Sequence, residues 1–188
     1  RKMMEYLLRK EKGRYFSEVA EEWIRSKEKE VAGTTFVSYD TSMRAACEVF
    51  GHMRCSEIRP LDIQRYAARM EMEGLAKGTC GARLSVVRQV LTHAVLMGDV
   101  DVNPAANVKP PKDMKKTIRH ALTEEQERLV MKCKAGEWPF LGMMLLFTGA
   151  RRGELLALEW QDIDRKNGVI HFNKKLDYTN PTIPKLEE

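Results

Sequence analysis

Four stretches with helical apolar periodicity fill the first half of the chain, and they constrain the fold more than any other feature. The first follows Ser17, a candidate N-cap, and the second starts at about Gly33. The third opens with Pro60 and the fourth begins at about Lys77. Four amphipathic helices can close around one apolar core, so the pattern predicts a helical bundle over residues 15–107.

The second half of the chain opens with a helix signal and later carries a strand signal. Thr123 and Gln126 have the spacing of a capping box, which predicts a helix from that point. Asn167-Gly168 predicts a turn, and residues 169–172 predict a short strand. Residues 174–188 show no firm periodicity. The predicted fold class is therefore mainly α, with a short β-strand near residue 170.

Two adjacent arginines, Arg151 and Arg152, follow an apolar run and the break at Thr148-Gly149. We predict a helix from about Ala150 with both arginines in its first turn, where the helix dipole disfavours cations. A bound phosphate would explain this placement, because the exposed N–H groups at the helix start and the guanidinium groups of the two arginines could then contact the same anion. Helical spacing to the following leucines predicts that Arg151 lies on the buried side, held by Glu154 one turn later.

Residues 148–164 (TGARRGELLALEWQDID) resemble the first-arginine box of the tyrosine recombinases, the phage integrase family. In that family the arginine after Thr-Gly-x contacts the scissile phosphate, and the acidic residue three positions later supports it. Those positions are Arg151 and Glu154 here. Residues 102–105 (VNPA) are similar to the family's usual exit from its core-binding domain. The resemblance implies a SAM-like helical core-binding domain followed by the helical start of an α+β catalytic domain.

The resemblance also implies a function, which is site-specific cutting and rejoining of double-stranded DNA through a 3′-phosphotyrosyl intermediate. The family uses arginines in place of a metal or cofactor, and it acts as a tetramer on DNA. No His-x-x-Arg or Lys-x-x-Arg box follows Arg151, and Tyr178 comes too early to be the nucleophile. Lys174, Lys175 and Lys185 lie near the expected catalytic hairpin without a pattern that assigns one of them. We therefore expect this chain to bind DNA and to need further sequence for cleavage.

Positive charge is concentrated in two segments, although the net charge of the chain is only +5. Residues 1–14, a predicted basic linker or tail, and residues 103–119 each carry a net charge of +4. This clustering suits a polyanionic partner. We predict an interdomain linker over residues 108–119, which contain Pro110-Pro111, and the truncated catalytic domain over residues 120–188.

The resemblance places DNA contacts at the starts of the second and fourth helices, and linker lysines can neutralise phosphates without reading sequence. The predicted DNA-binding residues are Thr34, Thr35, Lys77, Thr79, Arg83, Lys109, Lys112, Lys115, Lys116, Arg119 and Arg152.

Other classes of function fit less of the sequence. The four cysteines form no C-x-x-C pair, so we predict no metal site. No apolar run approaches the roughly 20 residues that span a bilayer, which predicts a cytoplasmic protein without a membrane partner. Two alternatives stay open, a non-catalytic DNA-binding regulator and a helical protein–protein adaptor whose basic segments only keep it in solution. An amphipathic helix with a structural Arg–Glu pair is the corresponding alternative for the arginine box.

Overall fold

The computed structural model of the chain describes residues 13–132, 137–176 and 184–186. The chain divides into two compact units, one that ends at Ile118 and one that begins at Arg119. The predictions for residues 1–12 and for Tyr178 fall outside the described residues. Within the described ranges, no helix combines the length and the apolarity that crossing a bilayer demands.

The first unit is a bundle of four helices, as the periodicity predicts. The helices are α1 (Phe16–Lys27), α2 (Gly33–Phe50), α3 (Pro60–Met72) and α4 (Lys77–Leu96), with a 3₁₀ turn at Cys55–Glu57. Helices α1, α2 and α4 pack on one another, and α3 packs on α4. Phe16, Phe50, Ile63 and Leu91 are almost completely buried where these helices meet. The predicted mainly helical fold is confirmed.

The start of α1 differs from the prediction that Ser17 is its N-cap. The Tyr15 N–H donates to the Glu18 carboxylate at 3.0 Å, so Tyr15 caps the helix and Phe16 is its first residue. The Ser17 hydroxyl instead donates to the Gly51 carbonyl at 2.9 Å, at the end of α2. The helix thus starts two residues earlier than an N-cap at Ser17 implies, and its first residue, Phe16, is fully buried in the core.

The beginning of the first unit is tied to the end of α4 by an ion pair. The Arg14 guanidinium donates to the Asp99 carboxylate through Nε at 3.0 Å and Nη2 at 2.7 Å, and it also pairs with Glu22. Hydrogen bonding to Asp99 raises the pKa of the Arg14 guanidinium above its ordinary value. This forked contact closes the bundle between two positions 85 residues apart.

The second unit consists of short helices followed by two strand pairs. Its elements are α5 (Glu124–Lys132), α6 (Glu137–Thr148), α7 (Arg152–Leu156), a 3₁₀ turn at Trp160–Asp162, β1 (Ile163–Asp164), β2 (Val169–Ile170), β3 (Lys174–Leu176) and β4 (Pro184–Leu186). The predicted capping box forms ahead of α5, since Thr123 N–H donates to Gln126 at 3.0 Å and Gln126 N–H donates to Thr123 Oγ1 at 3.3 Å.

The strands only partly follow the prediction. The strand expected over residues 169–172 is shorter, because β2 pairs with β1 only as far as Ile170. Asp164 accepts the N–H groups of Lys166 and Asn167 at 3.0 Å each, which fixes the predicted Asn-Gly turn. The antiparallel pair of β3 and β4 lies in residues 174–188, where the sequence shows no periodicity.

Candidate DNA-binding and catalytic site

The segment that carries the arginine pair begins with a sharp break after α6. Gly149 has a φ of +66°, a conformation that favours glycine. The Thr148 hydroxyl donates to the Met144 carbonyl at 2.7 Å and accepts the Ala150 N–H at 3.2 Å. The chain then enters α7 through Arg151, which is extended with φ −72° and ψ 147°. The helix therefore starts at Arg152, two residues later than predicted.

Glu154 holds Arg151 through two contacts. One carboxylate oxygen accepts the Arg151 backbone N–H at 2.9 Å, and the other accepts Nη1 of its guanidinium at 2.7 Å. The backbone hydrogen bond, and then the guanidinium, hold the pKa of the Glu154 carboxyl below its ordinary value. Glu154 is thus ionised at neutral pH and sets the direction of the Arg151 side chain.

The prediction that Arg151 lies on the buried side of a helix is wrong. Its side chain is 88% exposed, because an extended N-cap residue does not follow the helical spacing to Leu155 and Leu158. Arg152 is also exposed, at the first position of α7. The two arginines consequently present positive charge to solvent at the point where α7 begins.

The two lysines of β3 lie on opposite faces of the strand, since successive side chains of a strand point in opposite directions. Lys174 is buried, and its ammonium lies 2.5 Å from Glu159 Oε2 and 3.0 Å from Asp162 Oδ2. These carboxylates, Glu159 first, raise the pKa of Lys174. Lys175 is exposed, and its positive charge contributes to lowering the pKa of Glu154. The sequence gives no sign of this difference because the strand itself is not predicted.

The predicted DNA-binding residues of the first unit occupy the expected helix starts. Thr34 and Thr35 are exposed in the first turn of α2, and Thr79 is exposed in the first turn of α4, where Lys77 is half-buried. Arg83 is half-buried further along α4.

Arg83 shares its groove with acidic side chains. Asp40, Glu48 and Glu73 line the same pocket together with Arg44, which pairs with Asp40 at 2.8 Å. Arg83 therefore lies among charged side chains of both signs.

Five further predicted cations, Lys109, Lys112, Lys115, Lys116 and Arg119, are exposed. All except Arg119 belong to the first unit, because the boundary between the units follows Ile118. Among the residues that the structure describes, no three His, Cys, Asp or Glu side chains gather as metal ligands.

The sequence of the chain is similar to a family model and to proteins of known family. The family model described as phage integrase central domain matches residues 16–110. The chain is 30% identical over 151 residues to "Tyrosine recombinase XerC-like" of Caldanaerobacter subterraneus subsp. tengcongensis, covering 76% of this chain and 38% of that protein. It is 24% identical over 179 residues to "Prophage integrase IntR" of Escherichia coli, covering 86% of this chain and 42% of that protein. The chain thus spans less than half the length of either relative.

Solved structures share the fold over most of the chain. The Tn1549 transposon integrase, solved in complex with circular intermediate DNA, has a TM-score of 0.76 and 20% identity, covering 92% of this chain and 58% of that one. A lambda integrase tetramer bound to a Holliday junction has a TM-score of 0.74 and 14% identity, covering 94% of this chain and 51% of that one.

Proposed function

The chain belongs to the phage integrase family, and from that membership we propose that it is part of a tyrosine-type site-specific recombinase. In the intact protein this part supplies the helical DNA-binding unit and the first catalytic arginine. The relatives are named tyrosine recombinases and integrases, and related folds have been solved on DNA. Double-stranded DNA in the cytoplasm is the proposed substrate, and a tetramer is the proposed working assembly.

The observation that carries this proposal is the state of Arg151. Its guanidinium is oriented by an ionised Glu154 while 88% of the side chain stays exposed. Exposed Arg–Glu pairs within one helix also occur elsewhere in the chain, as between Arg69 and Glu73, and such pairs contribute little to stability. Here both partners belong to the start of one short helix, so the pairing leaves the cation available to an incoming oxyanion.

The proposed chemistry is transesterification at phosphorus. A tyrosine elsewhere in the intact protein loses its proton and attacks a backbone phosphate. The tyrosine oxygen forms a bond to the phosphorus, which stays attached to the 3′ oxygen of the DNA. The bond between phosphorus and the 5′ oxygen breaks, and the 5′ oxygen takes up a proton. Negative charge grows on the non-bridging oxygens during this step. The fixed Arg151 guanidinium stabilises that charge in place of a metal ion.

The apolar surface of the second unit supports the interpretation that this chain is part of a longer protein. Phe140, Leu141, Leu158 and Trp160 line an open groove of about 610 Å³, and Trp160 is 78% exposed. An exposed apolar groove of this kind marks an interaction site or an uncovered core. We propose that further sequence of the intact catalytic domain covers it, as the relatives are more than twice as long in total.

The first experiment is to measure the affinity of this chain for short duplex DNA across a range of salt concentrations. We expect binding whose log–log salt slope amounts to several units, at roughly −0.9 per neutralised phosphate. Absence of binding at low salt would contradict the recombinase proposal and favour the adaptor. Binding by the chain, without any covalent protein–DNA product from the intact protein, would favour the regulator.

A further inference from the structure

The predicted interdomain linker is largely a docked part of the first unit. We call residues 108–116 the basic strap. Two of its apolar side chains, Val108 and Met114, are each 5% exposed and belong to the hydrophobic core of the helical bundle. The ring of Pro110 lies over α4, 3.8 Å from where a Cβ on Gly81 would stand. The strap is therefore fixed to the bundle by apolar contacts at several points along its length.

Side chains and backbone of α4 secure the strap at both of its ends. The Arg88 guanidinium donates to the carbonyls of Ala105 at 3.2 Å and Val108 at 2.9 Å. At the other end, the Lys77 backbone N–H donates to the Lys115 carbonyl at 3.0 Å. The Lys77 ammonium donates to the Lys112 carbonyl at 2.9 Å. These bonds fix the backbone immediately around Met114.

The basic side chains of the strap remain available while its backbone is held. Lys112, Lys115 and Lys116 are exposed and flank the buried Met114, beside the start of α4. We propose that Met114 is a positioning residue, which anchors the strap so that these three lysines form a preformed surface for the phosphates of duplex DNA. This inference rests on the proposed DNA-binding function and adds the means by which its cations are ordered.

The physical reason is the entropy of ordering. Lysines on a free linker would lose backbone freedom when they met DNA, and that loss would weaken binding. On an anchored strap the backbone is already ordered before DNA arrives. Removing the Met114 side chain should therefore weaken binding to DNA. The same lysines can still reach phosphates, so the number of neutralised phosphates, and with it the salt slope, should stay nearly constant.

A thermodynamic cycle on the full chain tests this role. The variants are Met114→Ala, the triple variant Lys112→Ala/Lys115→Ala/Lys116→Ala, and their combination, each titrated with one duplex at several salt concentrations. We expect Met114→Ala to weaken binding about tenfold in the native background, from the ordering of a few residues. In the triple background we expect less than about a twofold effect, since Met114 acts through the lysines.

Met114→Leu should bind DNA as tightly as the native chain, because leucine keeps the apolar contact. Met72→Ala is the matched control, since Met72 is 84% exposed on α3 and should leave affinity unchanged. If Met114→Ala unfolds the bundle, Met114→Val goes through the same cycle. Trypsin gives a second measurement without DNA, since an anchored strap should be cut after Lys112 and Lys115 more slowly than the exposed site after Arg119.

The outcomes separate this inference from the function on which it rests. Native chain that shows no affinity for DNA at low salt overturns the proposed function. If the native chain binds DNA but Met114→Ala weakens binding equally in both backgrounds, only the role of Met114 is overturned. The role of Met114 is also overturned if trypsin cuts the strap as fast as it cuts after Arg119.

Discussion

At the scale of single residues, one carboxylate sets the orientation of the Arg151 guanidinium. Glu154 contacts both the backbone and the side chain of Arg151, so the carboxylate fixes where the cation points. A planar guanidinium can contact two oxygens of one phosphate while it keeps its bond to Glu154. An ammonium is a point charge and cannot make both contacts in the same geometry.

We therefore expect Arg151→Ala to lower strand cleavage by the intact protein about 10²–10³-fold, as for loss of one donor to a developing oxyanion. Arg151→Lys should be impaired to a similar degree, while both variants keep most of their DNA affinity. The covalent protein–DNA product on a nicked duplex measures cleavage, and Arg165→Ala, an exposed arginine that stacks on Trp160, is the control. Normal cleavage by Arg151→Ala would exclude this residue from the reaction.

Lys174 is expected to matter for stability. Its ammonium is the partner of Asp162, a carboxylate that is 7% exposed, so removing the cation leaves a buried charge unpaired. Lys174→Met should lower the melting temperature of the second unit by several degrees, whereas Lys166→Ala at an exposed turn should not. Circular dichroism during heating measures both, and equal melting of the two variants would show that the ion pair contributes nothing.

At the scale of elements, the second unit is held together where β3 meets the 3₁₀ turn at Trp160–Asp162. The Glu159 backbone N–H, and then Lys174, hold the pKa of the Asp162 carboxyl below its ordinary value. Hydrogen bonding from Lys174 lowers the pKa of Glu159 in the same way. Because ionised carboxylates connect the strand to the turn, protonation of either one should loosen this junction.

The sign of the resulting pH dependence follows from linkage. A carboxyl whose pKa is lower in the folded state stabilises the fold above its unfolded pKa, about 4, and the stabilisation disappears as pH falls through the folded value. We expect the second unit to melt at lower temperature as pH drops below about 4, and Asp162→Asn to make this dependence shallower. Thermal melts between about pH 2.5 and pH 7 measure it, and identical curves for both proteins would contradict the assignment.

Helices are easier to predict than strands in this chain, for reasons visible in particular residues. The apolar stripes of α1 to α4 are long, and their starts are marked by Pro60 and by the breaks ahead of Gly33 and Lys77. Strands β3 and β4 are three residues each, which is too short for alternation to be recognised. The predicted burial of Arg151 is wrong because Arg151 is the extended N-cap of α7, and helical spacing does not apply outside the helix.

The docking of the strap could not be predicted from its sequence either. Its prolines, lysines and lack of apolar periodicity are typical of a linker, and Met114 is a single apolar residue among charges. Its burial depends on a tertiary contact with the bundle, which local sequence does not encode. The candidate cations are recognisable one by one from residue type, but their arrangement beside α4 is not.

At the scale of the whole molecule, charge is distributed in a way that suits a long polyanion. The net charge is only +5, yet the strap exposes several lysines within a few residues of one another. Such contacts reach phosphates without distinguishing bases. Binding through them should depend steeply on salt and weakly on sequence.

Replacing Lys112, Lys115 and Lys116 by Ala should accordingly weaken binding to all duplexes about equally and flatten the salt slope by about 0.9 for each phosphate that is no longer neutralised. The matched control removes the same charge from exposed arginines elsewhere in the bundle, with Arg25→Ala, Arg65→Ala and Arg69→Ala. Affinities for two unrelated duplexes measure the effect. A weakening confined to one of the two sequences would show that the strap reads bases.

The burial of Met114 also determines where two members of this family can be joined into a chimaera. A seam at residue 107 would set the strap of one parent against the α4 helix of the other, and Met114 would meet a surface that did not evolve with it. A seam between Ile118 and Arg119 keeps each strap with its own bundle. Exchange of the helical unit between two such proteins should therefore carry the strap along with the four helices.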